Sequence, residues 1–138
     1  MKFLITILML SLFFISEKLI AQNRTITAIV VNATSDAGKV SYALYNKENF
    51  RMQPIQAKSS TIKEGKSEVV FENVSIGEYA VICFHDKNNN DKMDFQPNGM
   101  PMEDYGVSTN NMNRFGPPMY DQIKFLVTDK DVSLEIKF

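Results

Sequence analysis

The chain is poor in the residues from which many small secreted domains and simple catalytic centres are built. Among its 138 residues there is one cysteine, Cys83, and one histidine, His85. A lone cysteine excludes an internal disulfide, so the fold has to stand on its core. A lone histidine, with no serine or cysteine nucleophile at a motif spacing, is a poor basis for acid–base or nucleophilic catalysis, and no catalytic residue is assigned. Charge of one sign is lacking too, since 15 basic residues face 16 acidic ones. That balance gives no electrostatic footprint for nucleic acid and no polybasic patch for an anionic membrane. The longest apolar run, residues 3–15, falls short of the roughly 20 residues that a bilayer-spanning helix needs.

That run follows Met1-Lys2 and leads into a polar stretch ending Leu19-Ile20-Ala21-Gln22. A basic start, a short greasy centre and a small residue at the boundary are the parts of a secretory signal peptide, with cleavage before Gln22. The expected product is exported to the periplasm or beyond and has no membrane span. Removing residues 1–21 from the 138 leaves 117, enough for one domain, 22–138. The removed segment carries Lys2, Lys18 and Glu17, which leaves the mature chain a net charge of −2.

From residue 24 onward apolar residues recur mostly with period two, the pattern of half-buried strands. The clearest case is Val132, Leu134, Ile136 and Phe138 alternating with Ser133, Glu135 and Lys137. Similar runs at 25–31, 39–45, 67–74, 78–85 and 123–128 are separated by turn formers such as Asp36-Ala37-Gly38 and Lys63-Glu64-Gly65. The expectation is an all-β chain, a single antiparallel β-sandwich of about seven strands, Ig-like or prealbumin-like. Residues 46–50 read as a helical turn or a loop. Residues 86–121 form one long loop whose Phe95, Tyr105, Phe115 and Tyr120 argue for order, and any site is expected there.

The loop opens on Asp86-Lys87-Asn88-Asn89-Asn90-Asp91-Lys92-Met93-Asp94. Asp86, Asn88, Asn90 and Asp94 fall at positions 1, 3, 5 and 9 of an EF-hand-type calcium loop, where alternate oxygen side chains converge on one centre. The Lys92 carbonyl would add a ligand, and the missing carboxylate would come from Glu103 or Asp104. The pattern departs from that loop at position 6, where Asp91 replaces glycine, and at position 12, where Pro97 replaces glutamate. Asx-turns free of metal are the competing reading of the same residues. Calcium is therefore the candidate cofactor, at Asp86, Asn88, Asn90, Lys92, Asp94 and Glu103.

Cys83 and His85 share one strand face and, with Met93, Met100, Met102, Met112 and Met119, offer soft ligands for copper or zinc. Core packing is the stronger reading of both the cysteine and the methionines. A cell-envelope hydrolase would have to use His85 with Asp86 or Glu103 in a cleft beneath the loop. A carbohydrate or small-ligand module would instead expose a row among Phe95, Tyr105, Phe115 and Tyr120, with Tyr105 and Phe115 as the ligand-binding candidates. The leading expectation is a non-enzymatic binding or structural module with a protein or carbohydrate partner in the cell envelope.

A longer series of residues carries a resemblance. Phe71-Glu72-Asn73-Val74, Gly77-Glu78-Tyr79-Ala80-Val81, the 85–94 segment, Gly99-Met100-Pro101, Glu103, Tyr105-Gly106, Asn110-Asn111 and Phe115-Gly116-Pro117-Pro118 run in that order. Together they resemble the DUF2141 family of exported bacterial proteins. The resemblance spans nearly the whole mature chain and implies fold and export without an activity. The family usually carries glycine where this chain has Asp91. More distantly, Gly77-Glu78-Tyr79 leading into an Asp-Asn loop is similar to prealbumin-like and carboxypeptidase-regulatory sandwiches. A transthyretin-like hydrolase would need more histidines and a Tyr-Arg-Gly-Ser stretch, which Glu135-Ile136-Lys137-Phe138 does not supply.

Overall fold

The computed structural model describes residues 23–138, and the segment 1–21 expected to be a signal peptide lies outside them. The fold is all-β, with eight strands among the described residues: β1 Arg24–Val30, β2 Lys39–Tyr45, β3 Gln56–Thr61, β4 Ser67–Val74, β5 Gly77–Asp86, β6 Tyr105–Val107, β7 Phe125–Val127 and β8 Val132–Ile136. Among the described residues one short helix, α1 Tyr120–Ile123, precedes β7. Two open sheets result. The first has three strands in the order β4-β1-β8, and the second has five, with β3-β2-β5-β6 in line and β7 also paired to β5.

The alternation that marked the strands also sorts their faces. Val40, Tyr42 and Leu44 of β2 sit opposite His85, Cys83 and Val81 of β5 in register, and all six are buried. On the first sheet Ile26, Ala28 and Val30 pair with Val132, Leu134 and Ile136. These side chains, with Val69 and Phe71 of β4, join one apolar cluster that draws on both sheets. Each fully buried aliphatic or aromatic side chain in it contributes roughly 1.5–3 kcal/mol relative to exposure. The Tyr42 hydroxyl donates to the Ser67 carbonyl at 2.9 Å, tying β2 to β4 across that core.

Three expectations need correction. The sheets are not wholly antiparallel, because β8 runs parallel to β1. Strands β3 and β6 had no strand signal, and the described residues hold eight strands instead of about seven. Gln56–Thr61 is polar and largely exposed, so it shows no core-facing alternation, while Tyr105–Val107 is only three residues long. The strand expected at 123–128 is shortened because Ile123 belongs to α1.

Turn chemistry explains several connections. Between β3 and β4, Glu64 and Gly65 both have positive φ (52° and 75°), the geometry that two-residue hairpins favour. The Asp36 carboxylate accepts both of their amides at 2.9 Å and holds this turn against the 31–38 connection. Residues 46–50, open between helix and loop, are a turn in which Asn46 and Asn49 each accept the other's backbone N–H.

Candidate functional site

The outer face of the five-stranded sheet is built from the residues that the core leaves out. Ser41, Ala43 and Tyr45 of β2 and Ile82 and Phe84 of β5 point that way. The last pair on this face is Lys39 opposite Asp86, so the strand runs directly into the oxygen-rich loop. At the other end a second small cluster, Ala80, Val107, Tyr120 and Ile123, covers the sheet. Phe50 packs edge-on against Tyr120 and Tyr45, at 5.4 and 5.8 Å between ring centroids. The Tyr120 hydroxyl donates to the Glu78 carbonyl at 3.1 Å, and burial, followed by the nearby Glu78 carboxylate, pushes its pKa up to about 12.

Asp86 is the keystone of the loop. It is 0 % exposed, and its two carboxylate oxygens accept the backbone N–H groups of Asn90 (3.0 Å) and Asp91 (2.9 Å). Asn88 accepts from the Asn90 amide, and Asn90 from the Lys92 amide. The side-chain amides of Asn88 and Asn90 donate to Asp94 at 2.8 and 3.0 Å. Glu103, nearly buried, reaches in from further along: its carboxylate accepts from the Lys87 and Asp94 amides at 3.2 and 3.3 Å. The structure therefore gathers Asp86, Asn88, Asn90, Asp94 and Glu103 into one hydrogen-bonded unit, with Lys92 entering through its backbone. Asp104 is not part of it and instead pairs with Lys87 and Thr34.

The fit of this unit to calcium is mixed. Asp91, the residue that departs from the glycine of a calcium loop, has φ of 62°, so the chain takes the left-handed turn that glycine normally supplies. Against this, Lys39 lies 3.9 Å from Asp86 and also pairs with Asp91, placing a cation of the protein's own beside the loop. The Asp91 hydrogen bond outweighs partial desolvation and, with the Asp86 charge, holds the Lys39 ammonium above the usual lysine value of 10.5. Among the described residues no three His, Cys, Asp or Glu side chains stand in a metal-holding group. A calcium ion would thus depend on amide oxygens, those of Asn88 and Asn90, beside the carboxylates.

His85 and Cys83 face the core and both are 0 % exposed. The His85 ring stacks on Phe138 at 6.2 Å, and its Nε2 lies 2.7 Å from the Ala37 carbonyl. Cys83 packs near the Gly106 carbonyl, and burial pushes its thiol pKa strongly upward. Met93 and Met100 are on the other side of the sheet, in the groove described next, so the soft ligands are not brought together.

Between the loop and the sheet lies a groove of about 750 Å³. Ile82 and Phe84 of the sheet line it together with Met93, Phe95, Met100, Tyr105 and the 113–118 segment. It adjoins a shallower trough of about 380 Å³ over Ser41, Ala43 and Ser59, where small side chains leave room. Phe115 is 98 % and Phe95 57 % exposed, Tyr105 is partly buried, and Tyr120 is buried at 8 %. Three of the four candidate rings therefore line or edge the groove, while the fourth supports its end. Sequence reasoning missed Arg51 and Arg114, which also line it; isolated charges in loops carry no periodic signal.

An all-β chain with two sheets, an outer-face groove and an Asp-Asn loop is the class that these features define. The chain belongs to the DUF2141 family, described as an uncharacterized protein conserved in bacteria, which it matches over residues 29–135. No curated protein and no solved structure matches it. Among the described residues no helix is long and apolar enough to cross a membrane.

Proposed function

We propose that the chain is an exported, non-enzymatic β-sandwich that binds a small ligand or a carbohydrate group of the cell envelope in the outer-face groove. The carrying observation is the groove itself: its volume falls within the range of small-molecule sites, and exposed aromatic and methionine side chains surround it. The sharing of one apolar cluster by both sheets supports the sandwich reading. The Asp86–Asp94 loop contributes Met93 to the groove lining, with calcium as the loop's proposed stabiliser through Asp86, Asn88, Asn90, Lys92, Asp94 and Glu103. A cell-envelope hydrolase centred on His85 has no supporting observation, since that ring is stacked in the core away from the groove.

Two measurements test the proposal. Nile red, a neutral probe, should gain emission with the native protein and lose most of that gain in a Phe115→Ala, Tyr105→Ala variant; equal emission from both refutes the groove. For calcium, the melting midpoint should rise with ion concentration, by the equivalent of about 2.7 kcal/mol at a hundredfold excess over Kd. An unmoved midpoint at millimolar calcium removes the metal from the reading.

A further inference from the structure

Two cations stand at the groove without an anion to answer them. Arg51 and Arg114 line it, and among the described residues neither takes part in an ion pair or a side-chain hydrogen bond. No aspartate or glutamate lines the same groove. Asp91 lines the adjoining trough and is already paired with Lys39. Elsewhere among the described residues Lys39, Lys87, Lys124 and Lys137 have acidic partners, while Lys47, Lys63, Lys66, Lys92 and Lys130 stand on the surface without one. What sets the groove apart is that its lining holds two guanidinium groups and no carboxylate.

The backbone that carries Arg51 is anchored. It has φ of 58° at the end of the 46–51 turn, directly after Phe50, which is packed between Tyr45 and Tyr120. Its charge acts on Tyr45, opposing the upward pull of burial on that phenol. A guanidinium beside aromatic and thioether surface presents a flat fork for a carboxylate or sulfonate while the rings cover an apolar body.

Resting on the groove reading above, we infer that its ligand is a small amphipathic anion, an apolar or aromatic body bearing one carboxylate or sulfonate, with Arg51 and Arg114 as the residues that select for charge. A neutral ligand of the same shape would leave both guanidinium groups without the partner that the groove lacks.

The test compares 1-naphthoate with 1-naphthamide, which share a ring system and differ in charge, by ¹⁵N-detected amide shifts on the full protein at low salt. Naphthoate should perturb amides of the groove and bind about tenfold more tightly than naphthamide. In an Arg51→Gln, Arg114→Gln variant whose melting midpoint matches wild type, that ratio should fall close to one. Equal binding of the two compounds within the groove overturns the ligand class and leaves the groove reading standing. Failure of both compounds to shift any groove amide overturns both. Retained discrimination in the double variant overturns the role of the arginines. Co-sedimentation with phosphatidylglycerol vesicles that naphthoate does not reverse overturns the small-anion reading in favour of a membrane surface.

Discussion

Replacing Asp86 offers the most direct trial of how the loop is built. Its carboxylate accepts two backbone amides at 3.0 and 2.9 Å and lies 3.9 Å from the Lys39 ammonium, with no exposed surface of its own. Hydrogen bonds to charged groups are worth about 1.5–3 kcal/mol each. Asn90 and Asp91 are exposed, so water recovers part of the loss once the carboxylate is gone, and the net cost of Asp86→Ala should be about 3 kcal/mol. In a domain of this size about 1 kcal/mol shifts the midpoint by about 4 °C, so Tm should fall by about 12 °C. Asp86→Asn keeps one carbonyl acceptor but turns an NH₂ toward the other amide, and should lose about half as much. Differential scanning calorimetry without added calcium reads both values. If both variants melt within about 2 °C of wild type, the carboxylate is not the organiser of the loop, and the hydrogen bonds drawn to it do not hold in solution.

Two further perturbations probe other joints of the fold. A Cβ at Gly106 would lie 2.5 Å from Ile136 Cγ2 and 2.9 Å from the Lys137 carbonyl, so Gly106→Ala forces β6 away from the end of β8. Overpacking of this kind costs about 1–3 kcal/mol, readable as a lower urea midpoint, and an unchanged midpoint would show that these segments do not approach so closely. The amides of Gly65 and Glu64 hold the Asp36 carboxyl below the usual value of 3.8, against a small opposing effect of burial. Because its folded pKa is depressed, its contribution is present above the unfolded value and fades as pH falls through the folded one. Asp36→Asn should therefore be less stable than wild type at neutral pH, with the gap closing below pH 3.8; a gap that stays constant in acid titrations would contradict the assigned hydrogen bonds.

Much of the strand framework was legible because burial on one face writes a period of two into the chain. Val40, Tyr42 and Leu44, or Val132, Leu134 and Ile136, announce both their strand and their inward side. β3 was silent for the same reason in reverse: its residues Gln56–Thr61 pair only with β2 and bury little. The Asp86–Asp94 loop could be read as a set of converging oxygens because the spacing lies within one local turn. Glu103 was only one of two choices, since its arrival depends on how the chain returns after residue 94.

The sequence by itself determined local quantities: the strands with a core-facing period of two and their inward side, several of the turns, and which nine residues hold the dense run of oxygens at 86–94. Tertiary structure alone decided the partners. The parallel union of β1 with β8, the choice of Glu103 over Asp104 at the loop, the burial of His85 against Phe138, and the meeting of Arg51 and Arg114 at one groove all join residues far apart in the chain. Periodicity records whether a side chain is buried, and carries no mark of what it is buried against; that is set by how two sheets close on one core and which loops are left to cover the outer face.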